Sequence, residues 1–171
     1  MKRRVKKTIL IVGEGKDEEV FLKYLRQAVQ CSDEVDITIK QGKGGSPRDI
    51  VHVAVKDFAA YDHKLVMLDS GPTRQAMLEA KEYAGSSVQF LINTPCLEAL
   101  LLSILEKDKD YSNKKESECK KIFETNYIPK NRRDEFNHYA KHFPLKLLQN
   151  RRKVISILDT IMRIVETGEF G

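Results

Sequence analysis

The spacing of hydrophobic positions changes in a regular way along the first hundred residues. Residues 7–12 form a short apolar run with β-branched side chains, and a glycine turn follows it. Apolar residues then recur at intervals of three and four over residues 20–28. A continuous apolar run predicts a strand buried on both faces, whereas the longer repeat predicts a helix with one buried face. The chain therefore begins with a strand, a tight turn and a helix.

The same alternation continues up to about residue 92. Further strands are predicted at residues 35–39, 64–69 and 88–92, with one helix starting near Pro47 and another over residues 75–83. Strands that alternate with helices favour an α/β fold with a mostly parallel sheet and right-handed crossovers. We therefore expect a four-stranded sheet flanked by helices.

After Pro95 the pattern becomes helical, and no further strand is predicted. The predicted helices cover residues 97–105, 112–124, 134–142 and 150–166. Apolar positions recur throughout this part of the chain, which is not typical of a linker. We expect residues 107–171 to form a helical extension packed on the α/β domain of residues 8–106.

Composition excludes several classes of protein. A hydrophobic fraction of 41% over 171 residues is enough for a core, which excludes a disordered tail protein. No apolar run reaches the roughly 18 residues of a membrane span, and the charged beginning of the chain does not resemble a signal peptide. The three cysteines are widely spaced, as expected for reduced thiols. We expect a cytoplasmic protein with no membrane partner.

The net charge of +5 is unevenly distributed along the chain. Residues 1–7 form an arm with five basic side chains and no acid, residues 8–106 carry −5, and residues 107–171 carry +5. Acids on a scaffold beside basic surface suit a metal-dependent enzyme with a phosphate-rich substrate, because the metal needs carboxylates and the polyanion needs cations. Ordinary solvated surface produces the same counts, so charge alone does not decide.

Four acids fall where parallel-sheet proteins bind ligands, beyond the carboxyl ends of strands. Glu14 follows the first strand, Asp69 ends the third, Glu98 follows the fourth, and Glu18 lies one helical turn after Glu14. Hard carboxylate oxygens bind Mg²⁺ or Mn²⁺, and such ions activate water and stabilise the leaving oxygen of a phosphodiester. These residues are the candidate metal ligands, and Glu14, Asp69 and Glu98 are the candidate catalytic residues.

Three of these four acids also have a structural interpretation. Glu18 in a first helical turn complements the helix dipole, and Asp69 before a Gly-Pro pair suits a turn or a helix cap. Glu98 lies within an apolar segment, where an unpaired charge is costly, so a specific partner is expected for it. The metal-binding and the structural interpretation of these acids both stay open at this point.

Several basic residues are candidates for contact with a nucleic-acid backbone. The glycine-rich segment 42–47 is flanked by cations, and the helical extension has basic clusters with aromatic residues between them. Solvated helix faces give the same pattern, and segment 42–47 lacks a recognised phosphate-binding signature. The candidates are Lys16, Lys43, Arg48, Lys130, Arg132 and Arg133.

Around the candidate acids the sequence resembles a Toprim domain, the metal-binding fold of topoisomerases, primases and overcoming-lysogenization-defect nucleases. Residues 9–19, Ile-Leu-Ile-Val-Gly-Glu-Gly-Lys-Asp-Glu-Glu, look like the first strand of the family and its glutamate turn. Glu14 and Glu18 have the ExxxE spacing of the nuclease branch, and residues 66–69 look like the strand that bears the DxD motif. The resemblance implies a Rossmann-like sheet and Mg²⁺-dependent cleavage of DNA or RNA.

More narrowly, three segments resemble RloB-type proteins, which are single-domain Toprim proteins. These segments are Gly44-Gly-Ser-Pro47, Tyr61-Asp62 and residues 93–102, Asn-Thr-Pro-Cys-Leu-Glu-Ala-Leu-Leu-Leu. Such proteins are found with restriction and abortive-infection systems, often beside an ATPase partner. The relatives from abortive-infection systems make tRNA a candidate substrate. The resemblance implies that Glu14 is a metal ligand or general acid/base and Asp69 a metal ligand. The resemblance also implies that Glu18 and Glu98 either bind a second metal ion or orient the other groups of the site.

The sequence departs from the family pattern at one position, since Gly71 stands where the second aspartate of DxD is expected. Losing a carboxylate weakens a metal cluster. Two alternatives to a nuclease therefore stay open: a catalytically degenerate Toprim module that binds nucleic acid or a partner ATPase, and a small-molecule phosphatase or nucleotide-binding protein. Monomer and homodimer are equally compatible with the sequence.

Overall fold

A computed structural model of the protein describes residues 6–170. Most of the basic arm predicted for residues 1–7, including Lys2, Arg3 and Arg4, lies outside the described residues. Within them, none of the helices is long and apolar enough to cross a membrane. The elements are β1 (Lys7–Gly13), α1 (Lys16–Ala28), β2 (Val35–Gln41), α2 (Pro47–Lys56), β3 (His63–Asp69), α3 (Arg74–Ala84), β4 (Gln89–Asn93), α4 (Leu97–Leu105), α5 (Glu116–Asn126), α6 (Phe136–His142), α7 (Leu145–Arg151) and α8 (Ser156–Thr167).

The four strands form one parallel sheet in the order β2-β1-β3-β4. In register, Ile11 of β1 lies beside Leu65 of β3, and Asp69 of β3 lies beside Asn93 of β4. The prediction of an α/β fold with a parallel four-stranded sheet flanked by helices is confirmed, and the arrangement is consistent with a Rossmann-like or Toprim-like fold. Because all strands are parallel, their carboxyl ends lie along a single edge of the sheet.

The sheet is covered on both faces, which explains the continuous apolar runs in its central strands. Alternate residues of β1 face opposite sides, so that Ile11 packs in a cluster with α1, α4 and α8 while Val12 packs with α2 and α3. Phe123, Tyr139 and Leu158, from the last third of the chain, belong to the same cluster as Ile11. The helical extension therefore shares a core with one face of the sheet.

The single helix predicted over residues 150–166 is wrong, because α7 ends at Arg151 and α8 begins at Ser156. Arg152 lies in the break, and its guanidinium donates to Asp159 at 2.7 Å and to Glu166 at 2.8 Å. These ion pairs join the break to α8, so the helix is interrupted where the apolar spacing alone predicts a continuous one.

Candidate functional site

The carboxyl-end edge of the sheet borders a cavity of about 410 Å³ with acidic walls. Glu14 follows β1, Asp69 ends β3, and Glu98 lies in the first turn of α4, just after β4. Glu18, in the first turn of α1, lines the same cavity. The structure thus brings together all four acids that the sequence marks as candidates.

Asp69 is held by two hydrogen bonds at the centre of this group. Its backbone N–H donates to Glu14 Oε2 at 2.9 Å, and its own Oδ1 accepts from the Leu97 N–H at 3.0 Å. Asp69 therefore caps the beginning of α4. A capping role was one of the structural interpretations of this residue, but the capped helix is distant from it in sequence. Burial, together with the charges of Glu18, Glu14 and Glu98, raises the pKa of Asp69 to about 8.

Glu18 also combines a capping contact with a place in the cavity wall. Its Oε2 accepts a hydrogen bond from the Gly15 N–H at 2.9 Å, and only 7% of the residue is exposed. Burial raises the pKa of Glu18 to about 7, although the hydrogen bond from Gly15 opposes the shift. A Cβ atom on Gly13 would lie 2.7 Å from the Cβ of Glu18, so glycine is required for α1 to start this close to β1.

The glycine-rich segment after β2 packs against the turn that holds Glu14. The Gly42 N–H donates to the Gly13 carbonyl at 2.7 Å, and the Gly44 N–H donates to the Glu14 carbonyl at 3.1 Å. Gly44 lines the cavity, and Lys43 beside it is exposed with a positive φ of 65°. The segment therefore forms part of the rim of the site.

Glu98 has the specific partner that the sequence leads us to expect. The Arg133 Nη1 lies 2.6 Å from Glu98 Oε1 and 2.6 Å from Asp17 Oδ2, and the guanidinium stacks 5.3 Å from the centre of the Phe123 ring. Only 5% of Arg133 is exposed. Arg133 was predicted as a surface contact for nucleic acid, but the structure places it inside the protein as the counter-ion of Glu98.

The other predicted basic residues are divided between the cavity and separate surfaces. Lys16 and Lys130 are exposed and line the cavity. Arg132 is exposed and pairs with Glu135 at 3.8 Å. Arg48 lies against α3, with its guanidinium 5.0 Å from the centre of the Tyr83 ring. Lys16 and Lys130 are therefore the predicted cations that are exposed and line the cavity.

Three residues of α5 belong to this region although the sequence did not mark them as site residues, and one of them, Glu124, lines the cavity. Lys120 lines the cavity and pairs with Glu116 one turn earlier. Burial disfavours the charge of Lys120, but the hydrogen bond to Glu116 and the charges of Glu98 and Asp69 raise its pKa. Glu116 Oε2 would lie 2.8 Å from a Cβ added at Gly71. Only the packing of α5 beside the end of β3 reveals these contacts.

The carboxylate set has the chemistry that a hard divalent cation requires, since its donors are all oxygen atoms. Over residues 6–170, however, no three His, Cys, Asp or Glu side chains are disposed to enclose an ion as they stand. Asp69, Glu18 and Glu98 each hold an internal hydrogen bond instead. The donor set fits Mg²⁺ or Mn²⁺, and binding would exchange some of these internal contacts for contacts to the ion.

Comparison of the chain with protein-family models, with curated proteins and with solved structures found no match. The resemblance to Toprim proteins therefore rests on the residues quoted above and stays a prediction. The geometry of the cavity, in contrast, is independent of that resemblance.

Proposed function

We propose that this protein is a metal-dependent nuclease of the Toprim class, which hydrolyses phosphodiester bonds in DNA or RNA. One observation carries the proposal: four carboxylates, three of them nearly inaccessible to solvent, are among the six that line one cavity at the carboxyl-end edge of a parallel sheet. Ligands of parallel α/β proteins bind at that edge. The carboxylates belong to Glu14, Glu18, Asp69 and Glu98.

The charges of the cavity support a cation as its ligand. Glu98 is neutralised by Arg133, whereas Asp69 and Glu18 have raised pKa values, mainly because they are buried and lie close to other acids. A divalent cation would favour their ionised forms. Mg²⁺ or Mn²⁺ bound by Glu14 and Asp69 would activate water and stabilise the leaving oxygen of a phosphodiester.

Lysines at the wall of the cavity support a polyanionic substrate. Lys16 and Lys130 are exposed, and Lys120 is half-buried between the acids and the surface. Ammonium groups beside a carboxylate cluster would hold phosphates close to a bound metal ion without competing for it. A tRNA substrate and an ATPase partner extend this proposal through the family resemblance, and a cytoplasmic location extends it through the composition of the chain.

Calorimetric titration with Mn²⁺ tests the metal site directly. We expect binding by the natural protein and its loss in Glu14→Gln and in Asp69→Asn, because each variant removes an anionic ligand while conserving shape. Asp36→Asn is the matched control, since Asp36 is an exposed acid of β2. Unchanged affinity in both site variants would contradict the proposal.

Cleavage of a panel of single-stranded and duplex DNA, single-stranded RNA and tRNA, with Mg²⁺ or Mn²⁺, tests the activity. The substrate that is cleaved should bind more weakly as salt increases, with a smaller salt dependence in Lys130→Ala. Turnover of free nucleotides without salt-dependent affinity for nucleic acid would instead indicate a small-molecule phosphatase.

A second candidate function is a catalytically degenerate Toprim module that binds nucleic acid or a partner ATPase. Gly71 favours it, because the second aspartate of DxD is missing, and so does the ion pair that occupies Glu98. This candidate requires salt-dependent binding of nucleic acid that persists in Asp69→Asn, or capture of the ATPase, without cleavage by the natural protein.

A further inference from the structure

We infer that Asn93 is a further residue of the carboxylate site, where its side-chain amide binds the hydrated divalent cation held beside Asp69. Asn93 is the last residue of β4 and is only 1% exposed. Neither its Nδ2 nor its Oδ1 has a hydrogen-bond partner among the described residues. The inference rests on the proposed function, and its test separates the two.

The position of Asn93 places its side chain on the same face of the sheet as Asp69. The two residues are register partners on adjacent parallel strands, which lie about 4.8 Å apart. Two residues earlier on each strand, Met67 and Leu91 pack in the same hydrophobic cluster. Because side chains alternate between faces along a strand, Asp69 and Asn93 also share a face.

The backbone at the end of β4 is fixed close to the site. The Ser70 N–H, directly after Asp69, donates to the Asn93 carbonyl at 2.8 Å. Only four residues later, the Leu97 N–H donates to Asp69 Oδ1 at 3.0 Å. The main chain around Asn93 is thus hydrogen-bonded to the Asp69 region on both sides, while the amide itself has no partner within residues 6–170.

Stability of the fold does not account for an asparagine at this position. A buried amide with both polar atoms unpaired is costly, and an apolar side chain of the same size would avoid the cost. A carboxamide offers a neutral oxygen to a metal ion and an N–H to a metal-bound water or carboxylate. A ligand that enters beside Asp69 would supply the missing partners.

The test compares Mn²⁺ affinity with the metal-free melting temperature in Asn93→Leu. Leucine keeps the number and branching of the side-chain heavy atoms but removes both polar atoms. We expect Mn²⁺ affinity to fall by roughly 10-fold to 100-fold, as for residues that orient metal ligands. We also expect the melting temperature without metal to stay equal or rise, because two unpaired buried atoms are removed. Gln89→Leu is the matched control, since it makes the same chemical change at the exposed amino end of β4.

The outcomes separate this inference from the proposed function. Loss of Mn²⁺ binding in Asp69→Asn with natural affinity in Asn93→Leu would overturn the role of Asn93 and leave the proposed function intact. A lower melting temperature in metal-free Asn93→Leu would also overturn it, because the amide would then be a structural group. A natural protein that does not bind Mn²⁺ would overturn both.

Discussion

Asp69 and Glu106 are two largely buried acids with opposite electrostatic surroundings. Glu106 follows α4, and its carboxylate accepts hydrogen bonds from Tyr111 at 2.5 Å and Tyr127 at 2.8 Å and pairs with Lys109 at 2.7 Å. Lys109, and then Tyr111, lower the pKa of Glu106 to about 2. Asp69 has no cation within hydrogen-bonding distance in the described part of the chain, and its pKa rises to about 8.

The difference shows that the neighbours of an acid, together with its burial, decide how the acid contributes to this protein. Glu106 is surrounded by donors that favour its charge, so it stabilises the contact between α4 and the segment that follows it. Asp69 lies with Glu14 and Glu18 among acids, where a charge lowers stability but suits a cation. Glu98 combines the two cases, because it lines the acidic cavity and has its own counter-ion, Arg133.

Removing the counter-ion of Glu98 should have the largest effect. In Arg133→Met, both Glu98 and Asp17 lose a partner at 2.6 Å, and Glu98 is only 3% exposed. We expect the free energy of unfolding to fall by about 3 to 5 kcal/mol, the usual cost of leaving a buried charge unpaired. Chemical denaturation at neutral pH measures this.

Arg132→Met is the matched control, because Arg132 is exposed and its pair with Glu135 is long at 3.8 Å. It should change stability by less than about 1 kcal/mol. Adding Glu98→Leu to Arg133→Met should recover part of the loss. Equal effects of the two arginine variants would show that Arg133 is a surface residue, as the sequence analysis assumed.

The raised pKa of Asp69 predicts that the metal-free protein loses stability as pH rises. The folded protein keeps a proton on Asp69 up to about pH 8, whereas the unfolded chain releases it near its ordinary pKa of 3.8. The folded state therefore binds more protons, and its advantage, complete below about pH 4, is lost by about pH 8. Glu18, with a pKa of about 7, acts in the same direction.

Asp69→Asn should remove most of this pH dependence, because asparagine keeps an oxygen for the Leu97 N–H and cannot ionise. With a chelator present, we expect the variant to be more stable than the natural protein at about pH 8 by roughly 2 to 4 kcal/mol, with a smaller difference at about pH 5. Thermal unfolding measures both. A difference in stability between Asp69→Asn and the natural protein that does not change with pH would contradict the raised pKa of Asp69.

Glu106→Gln should have the opposite sign and a smaller magnitude. Glutamine cannot pair with Lys109 and cannot accept from Tyr111 and Tyr127 with two oxygens, so we expect a loss of about 1.5 to 3 kcal/mol. Glu118→Gln is the control, because its pair with Lys114 is exposed. Denaturation in urea measures the loss, and an increase in stability would remove the contrast between Glu106 and Asp69.

Local patterns were sufficient to predict the fold and to mark the four candidate acids that meet at one edge of the sheet. The strands appear close to their predicted bounds because continuous apolar runs and glycine turns are local signals. Glu14 and Asp69 were predicted to converge because parallel strands end at one edge. Arg133, Glu116 and Lys120 reach the site from the helical extension, and no spacing in the sequence shows which face of the sheet that extension covers.

The smallest predicted effect concerns Gly71, where the missing aspartate would stand. In Gly71→Asp the new Cβ would lie 2.8 Å from Glu116 Oε2, so Glu116 must move and its pair with Lys120 weakens. We expect a loss of about 0.5 to 1 kcal/mol in metal-free protein, together with tighter Mn²⁺ binding because an anionic ligand is added.

Gly71→Asn is the matched control for this change, since it has the same shape without the charge. It should show the same crowding against Glu116 but no gain in Mn²⁺ affinity. Cleavage by the natural protein and by Gly71→Asp alike would mean that the four candidate acids suffice without an aspartate at position 71. Cleavage by Gly71→Asp alone would identify the natural protein as the degenerate binding module, because the acid missing beside Asp69 would then be the one that the chemistry requires.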